Sequence, residues 1–175
     1  MASILIHYKA SQDIFPLLDP AYQALFPTGY FHDGEGVLRL INGVYVIPAK
    51  CFENVDKLTS IDIPKQIYSF GQNAFTGTSL TYMTLSEDFR SCNKDALKGL
   101  TINSLECLAK EVPEISSQED LQIVEMTVPK HLLEAYKNSD WNNYVLVWKV
   151  FEECIHDGTG FNICEMIDTN YIRQD

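Results

Sequence analysis

The chain has 175 residues, 46% of them hydrophobic, and a formal net charge of −11. That length suits one folded domain with its caps, and the apolar fraction suits a packed core rather than a disordered chain. The 13 Lys and Arg form no basic stripe against 24 Asp and Glu, which disfavours nucleic acid and anionic membrane surfaces as partners; no run approaches the roughly 20 apolar residues that a bilayer-spanning helix needs.

In chain order, the first element is SILIHY, which reads as a strand. The opening MASILIHYKASQDIF has no basic n-region and only a three-residue apolar run, Ile4 to Ile6, so it is not read as a signal peptide. It fits an intracellular protein, or a chain whose leader has been removed. LDPAYQALF follows as a short helix: Asp19 is the N-cap, Pro20 takes the first helical position, and Pro27 and Gly29 stop it after Phe26. Residues 1–36 therefore form an N-terminal cap. At its end, FHDGEG (31–36) shares His-Asp-Gly-x-Gly with IHDGTG (155–160). An Asp-Gly pair between strands is a tight turn, the reading preferred here over a metal or acid–base site.

From residue 37 the chain repeats itself. Ile61 and Met83, Ile63 and Leu85, Ile67 and Phe89, and Phe75 and Leu97 all stand 22 apart, and Met83 to Leu105 and Leu85 to Cys107 repeat the step. With a step of 23, Leu38, Leu40, Val44 and Phe52 align with Ile61, Ile63, Ile67 and Phe75. After the polar run KEVPEISSQEDLQ, read as an insertion near 109–122 and as a solvated connector, MTVP falls on IDIP. About five turns thus occupy residues 37–128. Within one turn, TSIDI is a strand with Ile61 and Ile63 pointing one way and Ser60 and Asp62 the other. Pro64 ends it, and QIYSFGQNAF turns the corner, with Gly71 available for an unusual backbone angle. Ile67, Phe70, Ala74 and Phe75 return apolar weight to the same interior. One turn cannot bury its own face; stacked turns can, with strands paired in parallel at about 4.7–4.9 Å.

Residues 129–175 are expected to be a C-terminal cap and extension. Pro129 opens a helix through Tyr136 with Leu132 and Leu133 facing inward, Trp141 and Tyr144 cover the last turn, and YVLVWKVF is an extra strand. The five cysteines are an odd number for a disulfide framework, although Cys154 and Cys164 are near enough in sequence to pair. Cys51 and Cys107 occupy repeat positions held elsewhere by Ala74 and Leu85, so they read as core. His7, His32, His131 and His156 fall in no metal-ligand spacing, and no nucleophile elbow, phosphate loop or dinucleotide fingerprint occurs. No catalytic residue, metal or cofactor is therefore expected.

The unit Leu58, Ile61, Ile63, Pro64, Ile67, Phe70, Gly71, Ala74, Phe75 resembles that of the BspA-type leucine-rich repeat family. Leu80, Met83, Leu85, Phe89, Ala96 and Leu97 fit it too, with Ser86 where proline is usual. Val128, Pro129, Tyr136, Trp141 and Tyr144 resemble the family's terminal cap. The likeness spans about residues 37–146. It implies an α/β-type leucine-rich repeat solenoid, a right-handed superhelix of 22–23-residue turns with a short parallel β-sheet, capped at both ends. It also implies a bacterial cell-surface or secreted protein concerned with adhesion and host contact.

The function expected is non-enzymatic recognition of a protein or glycan. The outward positions of the sheet are the candidate site: Arg39, Asp62, Thr84, Glu106 and Thr127, with Ser60, Tyr82, Ser104 and Glu125 beside them. Regular polar groups on a rigid stack suit such recognition. The absent leader favours an alternative, a cytoplasmic protein-interaction scaffold. An enzyme built on the His-Asp-Gly loops is a third reading, and self-association through residues 147–175 a fourth.

Overall fold

A computed structural model describes residues 4–151 and the strand segments 155–156, 162–163 and 169–172. Strand β1 (Ile4–Ala10) leads into helix α1 (Pro20–Gln23), then β2 (Thr28–His32), β3 (Glu35–Leu40), β4 (Val46–Ile47), β5 (Leu58–Asp62), β6 (Ser69–Phe70), β7 (Tyr82–Leu85), β8 (Ser91–Cys92), β9 (Thr101–Cys107), β10 (Glu114–Ile115) and β11 (Gln122–Pro129). Helix α2 (Leu133–Lys137) and β12 (Val145–Phe151) follow, then β13 (Ile155–His156), β14 (Asn162–Ile163) and β15 (Thr169–Ile172). The strands form a nine-stranded front sheet in the order β15-β12-β11-β9-β7-β5-β1-β3-β2 and a four-stranded back sheet in the order β10-β8-β6-β4, and β13 pairs with β14 in a two-stranded sheet.

The repeat ladder is the physical stack. In the front sheet β5, β7, β9, β11 and β12 pair in parallel, with Ile61 opposite Met83, Met83 opposite Leu105, and Leu105 opposite Met126. The back sheet is parallel throughout, and Phe70 lies opposite Cys92, which lies opposite Ile115. Between the sheets runs one apolar core. Its axis is a run of aromatic rings from Phe26 at the α1 end through Phe52 and Phe75 to Phe70 and Phe89. Each corner carries two left-handed residues at the repeat spacing: Lys50, Asn73 and Asp95 at one position, and Asn54, Gly77 and Gly99 at the other. Asn, Asp and Gly reach that conformation at least cost. Gly71 is not among them. Its glycine answers a close approach instead, because a Cβ there would stand 2.3 Å from the Ala49 nitrogen of the turn below.

The first turn differs from the sequence expectation. Leu38 and Leu40 do face the core, but β3 does not pair with β5. Strand β1 is inserted between them, antiparallel to both, so β3 keeps the direction of the stack one strand further out. In the back sheet β4 pairs with β6 directly. The apolar side chains Ile4, Ile6 and Tyr8 alternate inward along β1 and supply the driving force for the insertion.

The segment near 109–122, expected as an insertion and a solvated connector, is instead a turn of the stack. The segment carries β10, buries Ile115, and returns the chain so that Ser104 pairs with Glu125, a step of 21 residues. The turn is one residue shorter at the front, and a side chain makes up the difference. In the preceding turns Phe52 N donates to Ala74 O (2.8 Å) and Phe75 N to Ala96 O (2.9 Å). In this one Leu97 N donates to Gln118 Oε1 (2.8 Å), while Gln118 Nε2 donates to Asn93 O (2.6 Å) and Ser116 O (3.0 Å). A buried amide thus replaces a backbone carbonyl and leaves its own polar atoms partnered.

At the ends, the Asp19 carboxylate accepts from Ala21 N (2.9 Å), as its N-cap position predicts, although α1 itself stops at Gln23. Asp33 and Gly34, both at positive φ, make the two-residue turn that joins β2 to β3. Leu133, Tyr136 and Trp141 are buried over the last turn, and β12 extends the front sheet. The second His-Asp-Gly loop from Asp157 on, Cys154 and Cys164 lie outside the described residues.

Candidate functional site

The register of the front sheet collects the outward side chains into two rows. One runs Tyr30, Val37, His7, Asp62, Thr84, Glu106, Thr127, Lys149; the other runs His32, Glu35, Lys9, Ser60, Tyr82, Ser104, Glu125. Eight of the nine candidate residues, Ser60, Asp62, Tyr82, Thr84, Ser104, Glu106, Glu125 and Thr127, therefore stand side by side. Arg39 does not join them. It pairs with Leu5 and Thr28, two residues along β3 from Val37, because β1 separates its strand from the stack. Thr127 is in the row but only 6% exposed. It stands between the longer side chains of Glu106 and Lys149 and offers a ligand almost no surface.

Hydrogen bonds across the rungs hold the rows. Thr84 Oγ1 donates to Asp62 Oδ1 (3.0 Å), Tyr82 Oη donates to Glu106 Oε2 (3.2 Å), and Lys149 Nζ pairs with Glu125 Oε2 (2.9 Å). Cross-strand pairs of this kind fix side-chain direction as well as adding modest stability. The face is consequently pre-set in shape before anything binds.

Over β1 the face is concave. A groove of about 630 Å³ is lined by His7, Lys9, Tyr30, Glu35, Val37, Ser60, Asp62 and Tyr82, among others. Four of these, His7, Lys9, Tyr30 and Glu35, belong to residues 1–36, which the sequence assigns to an N-terminal cap rather than to the site. The available signal was the period-two pattern of ILIHYKA, which puts His7 and Lys9 on the phase opposite Ile6 and Tyr8. Nothing in the pattern says that this strand threads into the stack.

Tyr82 is held neutral well into the alkaline range. Burial, then the negative charges of Glu106 and Asp62, push its hydroxyl from 10.0 to about 12. Burial and Asp13 likewise push Tyr8 to about 12, and burial takes the Cys51 thiol to about 12. Each folded group holds its proton more tightly than the unfolded one. Their contribution is therefore complete below the unfolded values of 9.0 and 10.0 and is lost as pH rises toward 12. Denaturation midpoints measured against pH should stay level near neutrality and fall above about pH 9, and Tyr82→Phe should make that fall shallower. A midpoint that rises from pH 9 to 11 would contradict these assignments.

Little in the described residues suits covalent chemistry. Cys51, Cys92 and Cys107 are free and buried, and burial raises all three thiols, opposite to what a nucleophile needs. His32 pairs with Asp33 at 3.4 Å, both strongly exposed at the hairpin tip. Among the described residues no three His, Cys, Asp or Glu side chains come together as a metal site, and no helix is long and apolar enough to cross a membrane.

Compared with known proteins, the chain matches one family model, the BspA type leucine rich repeat region, in six copies over residues 39–139, more than half its length. The sequence ladder counts five turns over much the same span. Neither the curated proteins nor the solved structures give a match.

Proposed function

This chain belongs to the BspA-type leucine-rich repeat family, and from that footing we propose that it is a non-enzymatic recognition module that binds a protein or glycan ligand through the outer face of its front sheet. The observation that carries the reading is the pair of polar rows, cross-braced by Thr84–Asp62, Tyr82–Glu106 and Lys149–Glu125. A face whose side chains are already ordered loses little conformational entropy when it binds. Stacked parallel strands linked by right-handed crossovers would make the repeat a right-handed solenoid, which keeps such a face rigid over its whole length. The family is typically surface-associated in bacteria, and adhesion at the cell surface is the role this face would serve. Protease shaving of intact cells beside fractionation tests the location: cleavage places the protein outside, and protection with recovery in the soluble fraction sinks the adhesion role.

The binding face is tested separately. The intact chain is immobilised and screened against matrix proteins and a glycan array, beside a variant carrying Asp62→Ala and Glu106→Ala. Each substitution removes one cross-strand pair, Thr84–Asp62 or Tyr82–Glu106, which contributes about 0.2–1 kcal/mol, so the variant should still unfold cooperatively at a modestly lower denaturant concentration while losing most of its binding. Undiminished binding would place the ligand elsewhere and overturn the proposal.

A further inference from the structure

The groove over β1 narrows the choice of ligand, and we infer that it takes a short, uncharged carbohydrate chain laid across the strands between Tyr30 and Tyr82. This rests on the recognition reading above and makes it specific.

Tyr30 is 66% exposed on the edge strand β2, and Tyr82 is half-buried with its hydroxyl tied to Glu106, which fixes the ring. Their strands are four spacings apart (β2, β3, β1, β5, β7), about 19 Å at the spacing of paired strands, which is room for an oligosaccharide rather than one ring. Between them the groove is lined by Val37, Ser60, His7 and Asp62, with the paired Lys9 and Glu35 alongside. A sugar presents two surfaces, an apolar C–H face and a rim of hydroxyls that both donate and accept. Aromatic rings suit the first; a carboxylate, an imidazole and a hydroxyl suit the second.

The same residues exclude other classes. A phosphate or sulfate would face Asp62 and Glu35, and the ammonium of Lys9 already lies 4.0 Å from Glu35. A lipid chain would desolvate the charged and polar lining and return no hydrogen bonds to it. The net charge of −11 opposes any polyanion.

The test is saturation-transfer NMR with the full chain and neutral tetrasaccharides of gluco, manno and galacto configuration, followed by titration of those that respond. At least one series should bind, with transfer strongest at the ring C–H protons. Tyr30→Ala should weaken it about tenfold, and Asp62→Asn should weaken it several-fold. Tyr45→Ala, an exposed tyrosine on the back of the molecule, should change nothing. Tyr30 is too exposed for its loss to unfold the chain, so a failed variant reads as lost binding. If no sugar in the panel binds while a protein ligand still depends on Asp62 and Glu106, the carbohydrate inference is wrong and the recognition face stands. If neither binds through that face, both fall. Sugar binding indifferent to Tyr30→Ala would remove the groove from consideration.

Discussion

Phe75→Ala destabilises the chain by about 3–5 kcal/mol, the range for emptying a buried phenylalanine site. Phe75 is fully buried at the centre of the core. Its ring stacks on Phe52 of the turn below (centroids 5.4 Å apart, planes 8° apart) and meets the edge of Phe70 in its own turn (4.9 Å, 75°). Such pairs contribute roughly 0.5–1.5 kcal/mol beyond the area they bury. The backbone cannot close the hole, because Phe75 N is held to Ala96 O at 2.9 Å and Phe52 N to Ala74 O at 2.8 Å. Walls pinned on both sides keep the cavity open, which puts the cost toward the upper end of the range. Phe75→Leu, which refills most of the space, should cost clearly less. Urea denaturation measures both: the midpoint should drop with the slope unchanged. A loss near zero for Phe75→Ala would mean that the repeat alignment, which put Phe75 opposite Phe52 and Leu97, is wrong.

That alignment was legible because the core is periodic. Each turn buries the same positions, so the sequence repeats wherever the packing does, and Ile61, Met83, Leu105 and Met126 could be set in line without coordinates. The outward rows followed by simple alternation. What was not legible has no period. Strand β1 enters the sheet against the direction of the stack, and its seven residues occur once. They carry the alternation of a strand but no mark of which strands they pair with, so half of the groove was assigned to a cap. Gln118 was hidden differently. It reads as one polar residue in a polar run, yet it is buried, because its side-chain amide does what a backbone carbonyl does one turn earlier. Pattern reading takes polar residues to be solvated; a polar side chain that substitutes for main chain defeats it. Gly71 shows a third limit: sequence flagged the glycine correctly but not whether it served a backbone angle or a close approach, which only the neighbouring turn decides.

Trp141→Ala should cost as much as Phe75→Ala or more, and should do its damage locally. The indole is fully buried and donates its Nε1 hydrogen to Pro113 O at 2.8 Å, fastening the short 3-10 turn after α2 to the chain just before β10. Nearby, Tyr136 packs on Trp148 (centroids 5.7 Å apart), and the Tyr144 hydroxyl accepts from Gln118 N at 3.0 Å, so the cap is tied to the same turn at more than one point. Removing the indole leaves a large cavity, about 3–5 kcal/mol, and strips a buried carbonyl of its donor, about 1–3 kcal/mol. Trp141→Phe separates the two, since it keeps most of the volume and loses only the hydrogen bond. Stacked turns are stabilised mainly by their nearest neighbours. Amide exchange should therefore quicken first in β10, β11 and β12, while β5 and β7 keep their protection. Uniform loss of protection along the stack would show that the turns unfold as one unit. A cost for Trp141→Ala below about 1 kcal/mol would show that the indole does not seal the end of the core, whatever its burial, since a buried large-to-small change is expected to cost several times that.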